Sequence, residues 1–408
     1  MSAPQLSSLF TGVAVKILSA VEAEQARSNQ HEFNGIAALK PLLGDTRQER
    51  IPAKFLYLGD ENEGISDEGF LTWYDARERN PARSEWRLYF RRTEVMNIAA
   101  AGDLLLLARR PDGTFVVIVT PPDSGFVPGL LRLFGVTDGL EEHFRFRNTA
   151  DDERGLDFAS RFILEELGIA GGEEEDAKII ELVGRMRGDG PFRFPSTRHI
   201  SALAREHAEA PDPRDDPDAA LLAWLDYEGK LFAHMERAAL GERIAAGFMK
   251  DGEPDVDNFL ETALSVLNRR KSRMGLSLEN HTEQIFRLWN IAYTRGAVTE
   301  GRSRPDFLFP GEREYHDPAF DPERLNMLGV KSTLKDRWRQ VLAEAARIAE
   351  KHLLTIQPGV SVNQMDEMRR NSLRLVVPAE LHAAYGENAG RLLSMKDFLR
   401  MITIKQNR

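Results

Sequence analysis

Three residues in the last third of this chain are of the types that hydrolyse a phosphodiester: Asp306, Lys331 and Glu344. That reaction needs a nucleophilic water, neutralisation of the phosphate charge and a stabilised leaving oxygen. A hard divalent cation such as Mg2+ serves all three needs and selects carboxylate oxygens. Asp306 follows Pro305 in an extended stretch just before the apolar run Phe307-Leu308-Phe309. Lys331 falls on the next candidate strand, Met327 to Ser332, and Glu344 comes 13 residues after the lysine. Glu344 falls within a stretch that reads as a helix from Arg337 to His352, with Val341, Leu342, Ala345 and Ile348 at helical spacing. A strand followed by a helix can bring both carboxylates, Asp306 and Glu344, to one Mg2+ with the ammonium beside the attacking water. Taken singly, a Pro-Asp pair is usually a turn, a strand lysine is usually exposed and a helical glutamate is usually solvated. The ordered set is what carries weight.

Just after the lysine stands Lys335-Asp336-Arg337. Lysine and arginine donate to guanine O6 and N7, and aspartate accepts from cytosine N4, so this triplet can read neighbouring G·C pairs. Its bland reading is a charged first turn of a helix, where Asp336 favours the dipole. Upstream, Asn268 to Arg273 holds four basic residues in six, Arg269, Arg270, Lys271 and Arg273. That run suits phosphate contacts better than base reading.

These residues need a scaffold. The first third reads as short strands, Val13 to Leu18, Phe55 to Leu58, Trp86 to Phe90, Leu104 to Ala108 and Phe115 to Val119, with Pro111-Asp112-Gly113 closing a hairpin. Strands at this spacing suggest a small barrel or sandwich. A helix follows, with Phe158, Phe162, Ile163 and Leu167 on one face. Gly171 to Asp176 opens a linker, and a second polar break runs from Pro211 to Pro217. From about Ala219 the pattern turns helical, Leu278 to Ala292 reads as a helix, and helices flanking a mixed sheet make an α/β domain. The expected division is a β-rich domain over 1–170, a linker over 171–190 and a catalytic domain over 191–408. The whole is a multidomain α+β chain.

The bulk properties agree with a folded protein that binds DNA locally. The 408 residues are 42% hydrophobic, enough for two domains with real cores. Net charge is -10, so DNA-binding groups must be clustered. The absence of cysteine excludes a disulfide framework, a zinc-thiolate site and a cysteine nucleophile. No run approaches ~18 apolar residues, and no basic stretch leads into an apolar one at the start. A cytoplasmic protein without membrane contact is the expectation. No Gly-rich loop ends in Gly-Lys-Ser/Thr, so nothing points to an NTPase.

Several long motifs resemble the catalytic domain of EcoRII-type restriction endonucleases. They are Asn268 to Arg273, Pro305 to Pro310, Tyr315-His316-Asp317, Lys331 to Gln340 and Leu373 to Pro378. The resemblance runs from about Phe192 to about Tyr385. It implies a restriction-endonuclease fold of the PD-ExK type, Mg2+-dependent cleavage of double-stranded DNA, and a homodimer on a near-palindromic site. In that light Asp306 and Glu344 look like metal ligands, Lys331 like the catalytic lysine and Glu279 like a further acidic residue of the site. Tyr315 matches a family tyrosine near the site, with packing as an equal reading. Lys335, Asp336 and Arg337 look like readers of CC/GG parts, as in CCWGG, CCNGG or CCGG cores. The commoner nuclease pattern has an acidic residue two positions before the lysine. Here that position is Gly329, and the EcoRII-related branch takes its second carboxylate from the helix after the lysine, where Glu344 stands.

Two N-terminal segments, Ser28 to Gly35 and Glu85 to Arg92, resemble the DNA-contacting arms of the pseudobarrel shared by EcoRII-type effector domains and plant transcription factors. The resemblance covers roughly residues 10 to 125 and marks Gln30, His31, Asn34, Arg87, Arg91 and Arg92 as DNA-binding. It implies a type IIE enzyme that binds a second site as effector, is inhibited by its own N-terminal domain, and works beside a cognate DNA methyltransferase. Trp224 is a candidate surface for a flipped base, with a core role favoured. Two other readings stand beside this one. A DNA-binding regulator without catalysis would not need Asp306, Lys331 and Glu344, and a phosphohydrolase using His316-Asp317 lacks the further ligands such sites require.

Overall fold

The computed structural model describes residues 5–23, 31–59, 65–78, 84–136, 140–152, 155–169, 176–187, 194–334 and 337–407. The chain divides into two compact units, Met1–Glu174 with Pro358–Met365, and Glu175–Gln357 with Asp366–Arg408. The architecture is mixed α+β.

The first unit is built on one sheet of eight strands that curls into a half-barrel. Its strands are β1 (Gly12–Ile17), β2 (Glu32–Phe33), β3 (Gln48–Tyr57), β4 (Ser66–Asp75), β5 (Trp86–Phe90), β6 (Leu104–Arg109), β7 (Phe115–Thr120) and β8 (Arg145–Asn148). They lie in the order β2-β5-β4-β3-β7-β6-β1-β8. Only the β3–β7 pair is parallel; the remaining neighbours are antiparallel. The unbroken runs of β6 and β7, Leu104 to Leu107 and Phe115 to Val119, are buried throughout, as central strands covered on both faces must be. β4 and β5 instead alternate, sending Leu71, Trp73, Leu88 and Phe90 inward. Trp73 stacks on Trp86 at 4.8 Å, and its indole N–H donates to the Gly44 carbonyl.

The second unit begins in helices: α1 (Ala177–Arg187), α2 (Thr197–His207), α3 (Pro217–Ala246) and α4 (Val256–Leu288). The stretch expected to be linker, 171–190, therefore contains α1, whose Ile179 and Val183 pack with Ile200, Leu231, Phe232 and Met235. Asp216 caps α3 and Asp255 caps α4, each accepting from the N–H three residues on. The basic run Asn268 to Arg273 lies inside the 33-residue α4. Between α3 and α4 sits a small hairpin of β9 (Met249–Lys250) and β10 (Glu253–Pro254).

Five strands follow, in the order β11 (Thr294–Arg295), β12 (Phe307–Phe309), β13 (Asn326–Val330), β14 (Lys351–Leu354) and β15 (Leu373–Val376). β11, β12 and β13 are antiparallel neighbours, and β13, β14 and β15 are parallel. α4 docks on this sheet through Phe286, whose ring meets Phe307 at 5.1 Å and Phe309 at 5.2 Å. Loss of such a buried ring costs about 3–5 kcal/mol. The expected long helix Arg337 to His352 is absent. The α-helix there is confined to Trp338–Leu342, Ala345 has φ 48°, and Lys351–Leu354 is the strand β14, paired on both sides. Val341, Ala345 and Ile348 are buried as their spacing implied. The pattern misled because a strand buried on both faces shows no alternation to separate it from a helix. Among the described residues no helix is long and apolar enough to cross a membrane.

Candidate active site

Asp306 stands immediately before β12, and Lys331 immediately after β13, its antiparallel neighbour. One oxygen of Asp306, Oδ2, accepts the Val330 backbone N–H at 2.6 Å and the Lys331 ammonium at 3.0 Å. Both side chains keep about a fifth of their surface, 20% for Asp306 and 23% for Lys331, so the pair is sheltered yet reachable. Lys331 is fixed from the other side by its own N–H, which donates to the Leu354 carbonyl of β14 at 2.9 Å.

Glu344 comes from the turn after the short helix Trp338–Leu342, not from a helix as expected. Its Oε2 is buried and makes no hydrogen bond. Burial, and then the neighbouring charge of Asp306, push its carboxyl up to about 7, against the pull of Lys331 and Lys351. A buried carboxylate oxygen without a donor is costly, and a divalent cation relieves that cost directly. The donor set of Asp306 and Glu344, hard oxygens beside an ammonium, fits such an ion. Among the described residues no cluster of three potential ligands is preformed, so water or a phosphate oxygen would have to complete the coordination.

The glycine two positions before the lysine has a steric reason. A Cβ at Gly329 would lie 3.0 Å from Val341 Cγ2 and 3.3 Å from Leu353 Cδ1. Any side chain there would press on Val341 and Leu353, which would have to yield by a few tenths of an ångström. The segment after the lysine carries Glu344 instead.

Glu279 projects from α4 and is close enough for the charges of Asp306 and Lys331 to act on it. Burial first, and Asp306 second, raise its pKa. Its Oε2 accepts from Arg295 Nη2 at 2.7 Å. Tyr315 is buried, and its hydroxyl donates to Glu300 at 2.6–2.7 Å. Burial, and then that carboxylate, push the phenol up to about 12. Its oxygen accepts the Arg347 backbone N–H at 3.3 Å, Glu300 accepts that of Ala346 at 3.2 Å, and Thr299 that of Ala345 at 3.4 Å. None of these bonds joins Tyr315 to Asp306, Lys331 or Glu344. Tyr315 is bonded to the segment just after Glu344. Glu300 and Arg295 were not anticipated, because their partners are distant in sequence.

The expected DNA-binding residues divide. Lys335, Asp336, Gln30 and the side chain of Lys271 lie outside the described residues. Arg337 is exposed. Side chains of the basic run make contacts within the helical bundle, although Arg270 keeps 56% of its side chain exposed. Arg270 Nε reaches Glu236 at 2.8 Å, the Arg269 guanidinium covers Phe194 at 4.2 Å, and Arg273, only 4% exposed, covers Phe232 at 4.8 Å. Arg270 and Arg273, three apart, share the helix face that meets α3, as spacing on a helix explains. In the first unit His31 sits edge-on to Tyr89 and Phe90, while Asn34, Arg91 and Arg92 are exposed. Arg87 is paired with Glu85 at 2.8 Å and Glu32 at 3.3 Å. Trp224 is buried beside His281. His316 bonds the Val298 carbonyl, and Asp317 accepts the Ala319 N–H. The phosphohydrolase reading therefore finds no ligand set there.

Comparison with known proteins bears on this arrangement. Residues 232–399 match the family model described as EcoRII C terminal. The chain carries an EcoRII-type C-terminal domain. Over 217 residues it is 42% identical to the type II restriction enzyme EcoRII of Escherichia coli, an alignment covering 53% of this chain and 52% of that enzyme. The chain thus spans about half the length of the curated relative it matches. Asp306, Lys331, Glu344, Glu279 and Tyr315 all fall within the EcoRII-type segment. Two solved structures show a distant likeness. Metal-depleted Ecl18kI in complex with uncleaved, modified DNA has a TM-score of 0.44 and 19% identity, over 58% of this chain and 86% of that one. The restriction endonuclease PspGI–substrate DNA complex has a TM-score of 0.42 and 15% identity, over 52% and 94%.

Proposed function

We propose that this protein is a type II restriction endonuclease that cuts double-stranded DNA at a site with CC/GG parts, using Mg2+. The observation that carries the reading is the set Asp306, Lys331 and Glu344, with one Glu344 oxygen buried and unbonded. Mg2+ between Asp306 and Glu344 would supply charge neutralisation at the scissile phosphate. Lys331, held at 3.0 Å from Asp306, presents an ammonium that orients the attacking water and the phosphate oxygen beside it. The water loses a proton to solvent as its oxygen bonds to phosphorus, the ester P–O bond breaks, and the leaving oxygen takes up a proton from solvent. Arg337, with Lys335 and Asp336, reads the G·C pairs. Asp306→Ala should abolish cleavage and leave DNA binding largely intact. Cleavage retained by that variant would remove the site assignment, and binding without any Mg2+-dependent cleavage by the wild type would favour a DNA-binding regulator.

The finer reading is an effector-activated enzyme whose domains are 1–170 and 191–408. The first binds a second copy of the site through His31, Asn34, Arg91 and Arg92, and restrains the other until DNA arrives. Removal of residues 1 to about 185 should then speed cleavage of single-site DNA. A homodimer is supported by an uncovered apolar stripe on α4, Val256, Phe259, Leu260, Leu264 and Leu267, each 51–60% exposed. Such a stripe on a helix face is what a second copy would bury. The enzyme would work in the cytoplasm, beside a methyltransferase that protects host DNA.

A further inference from the structure

Arg295 makes three side-chain hydrogen bonds to α4 beside the candidate active site. It lies on the two-residue strand β11, across from Phe307 of β12. Its Nη2 donates to Glu279 Oε2 at 2.7 Å, and its Nη1 to Glu283 Oε2 at 2.8 Å and to Asn280 Oδ1 at 3.1 Å. The three acceptors occupy one face of a single turn of α4. The guanidinium also lies 5.9 Å from the Phe307 ring, and the side chain is 20% exposed. The next residue, Gly296, donates its N–H to the backbone carbonyl of Asp306 at 3.1 Å. One short strand thus grips both the backbone of Asp306 and the carboxylate of Glu279.

Glu283 has other cationic partners, Arg287 at 2.8 Å and Arg198 at 3.5 Å. Arg295 is the ion-pair partner seen for Glu279 among the described residues. Asn280 carries the connection further, since its amide donates to Ser201 Oγ of α2 at 3.1 Å. A planar fork with five donors suits this task, because it fixes several acceptors at once in a set geometry.

We propose that Arg295 is a positioning residue of the site, holding Glu279 at a set place beside Asp306 and Lys331 through its fork to α4. Glu279, not Arg295, then acts on the metal or its bound water. The inference rests on the Mg2+-binding reading above and adds to it a residue that touches neither substrate nor ion. Loss of an outer partner of this kind costs about 10- to 100-fold in metal affinity or activity.

The test is a double-mutant cycle on the full chain with R295Q, E279Q and both together. Mg2+ affinity is measured by calorimetry without DNA, and cleavage rate beside it. R295Q should weaken Mg2+ binding about 10- to 100-fold in the wild-type background, yet add less than about twofold in the E279Q background. An equal effect in both backgrounds, or none in the wild type, overturns the proposal. Should R295Q lose its cooperative melt, R295K keeps the charge without the fork and enters the same cycle with the same two outcomes. Wild type and Asp306→Ala run in parallel. If the wild type binds Mg2+ without cutting DNA, the nuclease reading fails while the cycle still decides the role of Arg295.

Discussion

Replacing Glu344 by Gln should make the metal-free protein more stable at alkaline pH while ending cleavage. The carboxyl of Glu344 is pushed up to about 7 from an ordinary 4.5, chiefly by burial and then by Asp306. Below pH 4.5 the group is protonated both folded and unfolded and contributes nothing. Between 4.5 and about 7 the folded state keeps a proton that the unfolded state has lost, so stability falls as pH rises. Above 7 the full penalty is present. At about 1.4 kcal/mol per unit, the shift would correspond to roughly 3 kcal/mol. Glu344 is only half-buried, so solvent screening reduces this to about 1–2 kcal/mol. Glutamine has the shape of the protonated acid and carries no charge to desolvate. In EDTA, urea unfolding at pH 8 should therefore show E344Q about 1–2 kcal/mol more stable than wild type, and at pH 4.5 the two should coincide. Mg2+ should stabilise the wild type at pH 8 and do little for the variant. The same proton competes with the ion, so apparent Mg2+ affinity should rise by up to about tenfold per pH unit below 7 and then level off. An E344Q variant equal to or weaker than wild type at pH 8 without metal would refute the account of Glu344 as a strained, cation-seeking carboxylate.

Tyr315→Phe removes a buried hydroxyl that donates to Glu300 and accepts from Arg347, a hydrogen bond to a charged group worth about 1.5–3 kcal/mol. Urea unfolding should show that loss, with a fall in Mg2+ affinity as the Glu344 turn loosens; unchanged values would detach Tyr315 from the site. Arg337→Ala should weaken specific DNA binding by roughly 1–3 kcal/mol in a gel-shift titration, with binding to unrelated DNA little altered. Leu260→Glu with Leu264→Glu places charges in the exposed stripe of α4 and should give a monomer by light scattering. A dimer that survives both charges would place the partner surface elsewhere.

Five strands of the first unit were legible in the sequence, and β2, β4 and β8 were not. β6 and β7 are unbroken apolar runs set apart by Pro111-Asp112-Gly113, and nothing else folds that pattern so simply. The sequence pattern failed at the 337–352 stretch. There a five-residue helix, a turn with a positive φ and a buried parallel strand share one continuous apolar rhythm. Lys351 and His352 head the strand, and both are buried, so even their polarity gave no signal of a sheet edge. The basic run was legible as charge but not as direction. Only the long helix α4 reveals that Arg270 and Arg273 face α3.

Asp306, Lys331 and Glu344 stand out in the sequence by type and order, and the bonds that hold them do not, for one physical reason. Asp306 and Lys331 flank β12 and β13, whose apolar runs are each readable in the sequence, and the antiparallel pairing of those strands brings the two together. What fixes Glu344 is a set of bonds spanning 32 and 46 residues, from Tyr315, Thr299 and Glu300 to the backbone of Ala345, Ala346 and Arg347. What fixes Glu279 is an arginine on a strand too short to announce itself. Side chains that bond backbone atoms impose no residue type on their partners, so no motif records them. Gly329 is the exception that shows the link. Its missing side chain was visible as a departure from the commoner pattern, and the 3.0 Å approach of Val341 leaves a side chain there little room. A Gly329→Glu change should therefore strain the packing against Val341 and Leu353 rather than restore the commoner site.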